Sequence, residues 1–498
     1  MDQAKKETFK GYQKKMQAYG HALGLMNYDA QTAAPKGNTR TLGETIGVLS
    51  EEMYKLSSSD ELYDLAQEVL ADPAMDMQTR REAEEIKRDI DETRKIPMDE
   101  YVAFQMLLNE SGNVWAKAKT ANDFASFAPY LEKVIGTVKR MAGYVQPETP
   151  VYDYLLDRFE RGLTAAQCDA YFATLRKTLV PLIREVSKAK RAIQEDYLTA
   201  AYPIHLQQRF SKVLMDLLTI DPRYCSITET EHPFTTSFSK YDVRITTHYH
   251  ENDFVSNMYS VIHEGGHALY ELHTGDELIG SVLAGGTSMG IHESQSRFFE
   301  NIIGRSREFC GVLLPRMKEI FPGQLRGVTE EDLYLGVNRA QCSLIRTDAD
   351  ELTYSMHIMI RYELERQIMA GDLKVAELPS AWNAAYKETL GVDVPDDTRG
   401  VLQDTHWSGG MFGYFPSYSI GSAYGCQMLA SMEKDLPVFR MVEENNLAPI
   451  VEWLAQRIYR YGRMLHPDQV MENCCGAAFE PAFYTDYLTR KFTEIYKL

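Results

Sequence analysis

The sequence lacks long apolar runs and has fewer basic than acidic side chains. No stretch approaches the 18 consecutive apolar residues that indicate a transmembrane helix, so we expect no membrane span. The N-terminus is charged and amphipathic and has no apolar segment typical of a signal peptide. Lysine and arginine number 53 against 71 aspartate and glutamate residues, a net charge of −18. This balance argues against a nucleic acid or an anionic membrane surface as the partner.

Cysteine is also scarce. The 498 residues contain seven cysteines, and no two of them have CxxC spacing. An odd number without paired spacing disfavours a disulfide framework and favours a reducing compartment. We therefore predict a cytoplasmic protein.

The length and composition allow a large folded core. Apolar residues make up 44% and charged residues 25% of the chain, which is ordinary for a globular protein. No internal repeat, low-complexity tract or linker interrupts it. We predict a single domain over residues 1–498, with residues 1–200 as a helical scaffold and cleft wall. Residues 201–498 would then form the catalytic part.

Most of the chain has the apolar spacing of helices. Seven apolar residues between Phe124 and Met141 fall on one helical face, and Asn122 or Asp123 is placed to cap that helix. Residues 76–95 are more polar and predict an exposed helix with opposite charges along it. The predicted fold class is therefore mostly α.

Residues 230–250 depart from this pattern. They are rich in threonine, phenylalanine, tyrosine, valine and isoleucine and carry a polar break at Ser239–Asp242. This composition predicts a short hairpin or small sheet, which would be the only β element beside the functional region.

Seven of the twelve histidines lie between His232 and His292, and two of them form a recognisable motif. Residues 263–267 read His-Glu-Gly-Gly-His. On a helix, His263 and His267 share one face and can reach a single ion, and Glu264 projects beside them where it can hold a water. Two glycines disfavour a helix by about 1 kcal/mol each, so we expect a neighbouring strand or a substrate to approach closely there.

A catalytic zinc needs a third protein ligand and one open position. Glu293 is the preferred candidate, because it completes a set of two histidines and one glutamate at the start of a second predicted helix. His292, Glu271 and Glu300 remain alternative ligands. If Glu293 is the ligand, His292 is better placed to contact substrate or to support another ligand. A structural zinc is the other possibility, but such sites usually need four cysteine or histidine ligands, and no cysteine is nearby in sequence.

These residues predict metal-assisted hydrolysis of an amide bond. Zinc lowers the pKa of its water toward about 7 and polarises a carbonyl group. Glu264 would accept the water proton and later pass it to the leaving amine.

Several blocks resemble the carboxypeptidase Taq family of zinc metallocarboxypeptidases. They are residues 232–234 (HPF), 242–246 (DVRIT), 263–267 (HEGGH), 292–295 (HESQ), 345–350 (IRTDAD) and 400–407 (GVLQDTHW). The likeness extends to both ends of the chain, although Tyr28 stands where the family usually has tryptophan.

The resemblance implies a large two-lobed helical body around a deep substrate cleft, and a homodimer. It also implies peptide substrates that lose amino acids one at a time from a free C-terminus, with broad specificity and poor action on C-terminal proline. By position, His263, His267 and Glu293 would bind one zinc per chain and Glu264 would be the acid and base. Some family members accept cobalt.

Recognition of a free carboxylate calls for a guanidinium group. Arg346 and Arg244 both lie in matching blocks, and each could instead form a structural ion pair. For Arg346 that pair would be with acids beside it in a helix-like run, namely Asp348, Asp350 and Glu351.

The developing oxyanion needs a hydrogen-bond donor. His406 and Tyr418 are the candidates, and Tyr414 lies near them in sequence after a glycine-containing loop, residues 408–413, that we expect to be mobile. The remaining candidates for substrate binding are His232, which could instead hold the sheet, His292, Gln403 and Tyr414.

Two other functions stay open at this point. An endo-acting oligopeptidase could use the same metal site, and it would not need a cation for a terminal carboxylate. A helical binding scaffold with a vestigial motif would bind no metal tightly.

Overall fold

Helices form most of the chain, as the apolar spacing predicts. The computed structural model describes residues 1–498. Its α-helices are α1 Gln3–Thr32, α2 Thr39–Ser57, α3 Asp60–Ala71, α4 Met77–Lys95, α5 Met98–Ala121, α6 Phe124–Val145, α7 Val151–Asp157, α8 Ala165–Val186, α9 Ile204–Leu217, α10 Phe254–Leu272, α11 Met289–Arg297, α12 Arg307–Ile320, α13 Glu330–Val337, α14 Tyr354–Ala370, α15 Leu378–Leu390, α16 Phe415–Met432, α17 Val438–Glu443, α18 Ala448–Arg457, α19 Pro467–Cys475 and α20 Ala482–Tyr496. The predicted mostly α class is confirmed.

The two helices examined in the sequence both form, but α4 is partly buried rather than exposed. Helix α6 begins after Asp123, whose carboxylate accepts a hydrogen bond from the Ser126 backbone N–H. Asn122 instead ends α5 in the left-handed region, at φ 54°. Helix α4 is charged on its outer side, and its inner side buries Ile86 and Ile90.

The sheet has three strands, β1 Cys225–Glu229, β2 Thr235–Ser239 and β3 Asp242–Thr247, in the order β1-β3-β2. Strands β2 and β3 are the predicted antiparallel hairpin, and their turn lies at the polar break. Strand β1 is an addition that pairs with β3 in parallel, with Ile227 opposite Ile245. The sheet lies beside α10. The Thr235 hydroxyl of β2 donates to the Glu264 backbone oxygen of α10 over 3.0 Å.

One continuous apolar core runs from Ala118 to Tyr496. A second, small cluster lies beneath α1, α3 and α4 and includes Phe9, Leu62 and Ile86. Since α6 to α8 share the large core with the later helices, the packing supports one domain over residues 1–498, which stays a prediction.

Two further properties concern the chain as a whole. None of the helices combines the length and the apolarity that crossing a bilayer requires. All seven cysteines are free thiols.

Candidate metal centre

Helix α10 carries both histidines of the motif, and α11 brings a carboxylate against them. Single ligand atoms of His263, His267 and Glu293 all lie within 4.8 Å of one another. The Glu293 Oε2 atom is 3.7 Å from His263 Nε2 and 3.5 Å from His267 Nε2. Glu293 lies one turn inside α11 rather than at its first residue.

The ring of His263 is oriented by Glu300, which lies in a π-helical segment, Phe298–Ile303, that continues α11. The His263 Nδ1 atom is 2.8 Å from the Glu300 Oε2 atom. Because a carboxylate only accepts, Nδ1 carries the proton and the lone pair of Nε2 faces Glu293.

The ring of His267 is oriented by a second imidazole. Its Nδ1 atom is 2.5 Å from His292 Nδ1, and His292 Nε2 is 2.8 Å from the Glu271 carboxylate. His292 therefore donates to Glu271 and accepts from His267, which leaves His267 Nε2 free for a metal. Of the alternative third ligands, Glu271, His292 and Glu300 thus support the two histidines and lie outside the cluster.

Arg297 is a functional residue that the sequence analysis missed. Its side chain is 15% exposed, and it donates to Glu293 Oε1 over 2.7 Å and to Glu300 Oε2 over 3.2 Å. Burial alone would raise the pKa of Glu293, but Arg297 and the two histidines hold it well below its usual range. The only sequence signal was its position four residues after Glu293, on the same helical face.

The donor set fits a divalent metal ion. Burial lowers the pKa of His267 to about 4, so its imidazole is neutral near pH 7 with a lone pair to offer. Glu293 stays ionised beside it. Two imidazole nitrogens and one carboxylate oxygen, with no fourth protein ligand in the cluster, are typical of a catalytic zinc site rather than a structural one.

Glu264 faces the same site from α10. Its side chain is buried, at 7% exposure, and its Oε2 atom accepts a hydrogen bond of 2.6 Å from the Thr235 hydroxyl. Burial raises the pKa of Glu264. A carboxylate with a raised pKa is a better proton acceptor near neutral pH.

The neighbours beside the two glycines of the motif differ from the strand or substrate predicted from the sequence. A Cβ on Gly266 would lie 2.5 Å from the Gln295 backbone oxygen, and a Cβ on Gly265 would lie 2.5 Å from Leu218. The expectation of a strand or a substrate at this point was wrong, because the backbone of α11 fills the space beside Gly266.

We expect Gly266→Ala to weaken metal binding by at least about 10-fold, because the added carbon must push α11, and Glu293 with it, away from the histidines. The measurement is metal affinity by competition with a chromophoric chelator. Gly136→Ala in α6 is the matched control, since nothing lies within 4 Å of its Cβ position. Equal metal affinity in the two variants would contradict this account of the glycine.

Helix α11 is held in place from two further directions. On α16, a Cβ at Gly421 would lie 2.8 Å from the Glu293 Cβ atom, so α16 packs directly behind the ligand. At the start of α11, the buried Glu160 carboxylate accepts from the Gly290 N–H over 2.8 Å and from the Tyr424 hydroxyl over 3.2 Å.

Burial raises the pKa of Glu160 to about 7, against an ordinary value of 4.5. The folded protein therefore holds a proton that the unfolded chain releases above about pH 4.5, and the stabilisation is lost as the pH rises through 7. We expect the unfolding free energy of the wild type, minus that of Glu160→Gln, to fall by about 2–3 kcal/mol from pH 5 to pH 8. Urea denaturation at both pH values measures this difference. A constant difference would show that Glu160 is ionised throughout.

A second cluster surrounds Arg346. Its guanidinium donates to Asp404 over 2.9 Å and to the Tyr354 hydroxyl over 3.2 Å, and Arg361 donates to the same Asp404. Burial would raise the pKa of Asp404, but the two guanidinium groups hold it far below its usual range. Two cations against one anion leave a net positive charge in this cluster.

The segment around Arg346 was predicted as part of a long helix, which was wrong. Arg346 lies in a single turn of 3-10 helix, Arg346–Asp348, and α14 begins only at Tyr354. The Asp350 carboxylate accepts from the backbone N–H groups of Leu352 and Thr353 in the turn that precedes α14. Arg346 consequently pairs with Asp404 instead of with Asp348, Asp350 or Glu351, the acids beside it in sequence.

Gln403 is engaged within the same cluster. Its Oε1 atom accepts from the Arg346 backbone N–H and from the Arg361 guanidinium, and its Nε2 atom donates to the Leu344 and Gly400 backbone oxygens.

Aromatic residues connect the Arg346 cluster to the metal centre. The Arg346 guanidinium lies 5.1 Å from the Tyr418 ring, and the Tyr418 hydroxyl is 3.3 Å from His406 Nε2. The Tyr414 ring stacks on His406 with a centroid distance of 5.5 Å. Tyr418 lies three residues before Gly421 on α16 and so shares the face that packs on Glu293. Burial lowers the pKa of His406 to about 4, so this imidazole is neutral near pH 7.

One of the other two candidates lies on the sheet and one in a loop beside it. Arg244 pairs with Asp242 of its own strand through two hydrogen bonds of 2.9 Å and lies over the rings of Tyr28 and Phe238. His232 is exposed in the loop before β2, where its backbone oxygen accepts from the Thr230 hydroxyl.

A helix with two histidines four residues apart, a glutamate between them and a glutamate from the next helix define a metallopeptidase of the HExxH type. A sequence profile described as "Carboxypeptidase Taq (M32) metallopeptidase" matches residues 8–492. The chain belongs to this carboxypeptidase Taq (M32) family.

Individual relatives are similar to this chain over nearly its whole length. Carboxypeptidase 1 of Bacillus subtilis is 37% identical over 489 residues, which are 97% of each chain. Thermostable carboxypeptidase 1 of Pyrococcus furiosus is 33% identical over 485 residues, which are 95% of this chain and 96% of the relative. The crystal structure of the M32 carboxypeptidase from Deinococcus radiodurans R1 matches with a TM-score of 0.97 and 33% identity, over 99% of this chain and 100% of that one. The protein is therefore a metal-dependent carboxypeptidase that releases C-terminal amino acids from peptides.

Proposed function

We propose that the chain is a zinc carboxypeptidase of broad specificity that removes residues sequentially and acts poorly on C-terminal proline. The observation that carries the proposal is the convergence of His263, His267 and Glu293, with Glu264 beside them. A zinc ion held by the three ligands would supply the Lewis acidity that makes water nucleophilic near neutral pH. The donor chemistry suits zinc, and cobalt is the alternative ion.

In this proposal, Glu264 moves the protons. Its carboxylate accepts a proton from the attacking water and later returns it to the nitrogen of the leaving amino acid. The Thr235 hydroxyl holds one carboxylate oxygen in place, and this fixes the direction in which the other can accept.

We assign oxyanion stabilisation to His406 and Tyr418. A neutral imidazole and a phenol with an intact hydroxyl can each donate to the developing negative oxygen. The proximity of Arg346 lowers the pKa of His406 further below the value that burial sets, which keeps the imidazole neutral. Tyr414 stacks on the imidazole and would contact the substrate from the same side.

We assign the terminal carboxylate to Arg346. The cluster around it has a net positive charge, and not all of its five N–H groups are used by Asp404 and Tyr354. Gln403 would act by holding Arg346, since both ends of its amide are already bonded within the chain. Arg244 is neutralised by Asp242 on the sheet, and we propose that it supports the sheet. His232 would act only through its backbone oxygen, which accepts from Thr230 beside the sheet. His292 would act through His267.

The test of the carboxylate pocket is Arg346→Gln, with Arg244→Gln as the matched control. We expect Arg346→Gln to lower kcat/KM on a free-acid tripeptide by about 10²-fold or more, because the substrate carboxylate loses its charged partner. Arg244→Gln is expected to change it by less than about fivefold. Amidated tripeptide should be a poor substrate of both. A larger loss in Arg244→Gln would move the carboxylate site to the sheet.

We also propose a homodimer in the cytoplasm. The dimer rests on the family resemblance, and the cytoplasm on the seven free thiols. Sedimentation equilibrium tests the dimer, and a monomer at micromolar concentration would contradict it.

A further inference from the structure

A buried carboxylate far from the metal ligands in sequence holds the loop between Thr405 and Tyr414. Glu365, on α14, is 0% exposed. It accepts hydrogen bonds from the Trp407 Nε1–H over 2.7 Å, the Gly413 backbone N–H over 2.9 Å and the Tyr152 hydroxyl over 2.8 Å. It contacts none of the metal ligands, and the proposed chemistry does not use it.

Two of these three donors are next to functional residues. Trp407 directly follows His406, and Gly413 directly precedes Tyr414. The Glu365 carboxylate therefore holds the loop at both ends of the segment between His406 and Tyr414. Gly413 has φ 82°, and a Cβ there would lie 2.8 Å from the Leu155 backbone, so the loop has little freedom at this end.

The loop is consequently held on the core, contrary to the mobility expected from its glycines. Gly410, at φ 70°, packs with its Cβ position 3.2 Å from both Phe104 and Leu108 of α5. His406 is itself held by few polar contacts, since its Nδ1 atom is buried without a hydrogen-bond partner in the chain.

Burying a carboxyl group completely costs free energy, which hydrogen bonds from its donors must offset. Burial raises the pKa of Glu365 to about 7, although three donors favour the ionised form. An apolar residue of similar size would fill the same space without this cost, but it could not accept hydrogen bonds from two separate points of one loop.

We propose that Glu365 is a positioning residue, which orients His406 and Tyr414 toward the metal centre through its bonds to Trp407 and Gly413. The proposal rests on the proposed roles of His406 and Tyr414 in turnover. It predicts that the loss of these bonds lowers kcat while metal binding is preserved, since the metal ligands lie on other elements.

The experiment compares Glu365→Gln and Trp407→Phe with Tyr152→Phe. An amide of the same shape cannot accept at its NH₂ end, so Glu365→Gln loses at least one loop bond, and Trp407→Phe removes one donor but keeps a large ring. Tyr152→Phe is the matched control, because it removes a bond of similar length to the same carboxylate from α7, outside the loop. All variants are measured well below their unfolding temperatures, with kcat, KM and zinc affinity determined separately.

We expect kcat to fall about 10- to 100-fold in Glu365→Gln and several-fold in Trp407→Phe, with zinc affinity within twofold of the wild type. Tyr152→Phe should keep kcat within twofold even if it lowers the melting temperature. Unchanged kcat in folded Glu365→Gln and Trp407→Phe would overturn the proposal. An equal loss of kcat in Tyr152→Phe would do the same, because it would indicate a general structural effect.

A spectroscopic measurement separates this proposal from the function on which it rests. In protein labelled with ¹⁵N-histidine, the His406 imidazole signal is identified by its absence in His406→Gln, and we expect Glu365→Gln to shift it. If His406→Gln is fully active while the signal still shifts in Glu365→Gln, the positioning stands and the catalytic role of His406 is wrong. If the signal does not move, the positioning is wrong whatever the activity.

Discussion

Replacement of Glu264 by glutamine is expected to lower kcat by about 10²–10⁴-fold while the metal content stays at the wild-type level. The amide keeps the size of the side chain and still bonds to Thr235, but it cannot take a proton from water. Because Glu264 is not one of the three clustered ligands, metal affinity should be unaffected. The measurements are steady-state kinetics on an unblocked peptide and metal analysis of the same preparation.

Glu271→Gln is a suitable control for Glu264→Gln. Glu271 is a partly buried glutamate of the same helix, but it bonds to His292 instead of facing the cluster. The Glu271→Gln substitution should affect metal affinity more than it affects kcat of the metal-loaded enzyme. Retained turnover in Glu264→Gln would show that another group is the base.

Replacement of Glu293 by alanine is expected to cause loss of the bound metal. The substitution removes the only anionic ligand and leaves the buried Arg297 guanidinium without its 2.7 Å partner. Losing the hydrogen-bond partner of a metal ligand lowers metal affinity by about 10–100-fold. We expect Glu293→Ala to lower zinc affinity by much more than this, and activity to fall with it. Competition with a chelator of known affinity measures this.

Glu300→Gln is the comparison that separates a carboxylate that binds the metal from one that orients a histidine ligand. Glu300 contacts His263 Nδ1 and lies outside the ligand cluster, so its loss should weaken zinc binding by about 10–100-fold and no more. Full metal occupancy in Glu293→Ala, or a larger loss in Glu300→Gln, would place the third ligand elsewhere.

The metal cluster could be predicted from the sequence because its spacing is local. His263 and His267 are one helical turn apart, and Glu293 is 26 residues beyond the second of them, in a block that also resembles the family. The helical class followed from periodicity, and the β2–β3 hairpin from its composition and polar break.

The residues that orient the cluster could not be predicted, because their partners meet only in the folded chain. Glu300 and Glu271 were weighed as ligands, and nothing local shows that each bonds to a histidine on the side away from the metal. The pairing of Arg346 with Asp404 spans 58 residues, so the nearer acids appeared to be better partners. For the same reason, the glycines of the loop before α16 indicated mobility, while Glu365 and α5 hold that loop in place.

Mass spectrometry of one unblocked peptide incubated with the protein tests the central claim most directly. Three arms are needed: the protein as purified, the protein with a metal chelator, and the same peptide with an amidated C-terminus. The account predicts a ladder of products shortened one residue at a time from the C-terminus in the first arm, and intact peptide in the other two. Internal cleavage, rapid cleavage of the amidated peptide or a ladder that persists in the chelator would contradict it.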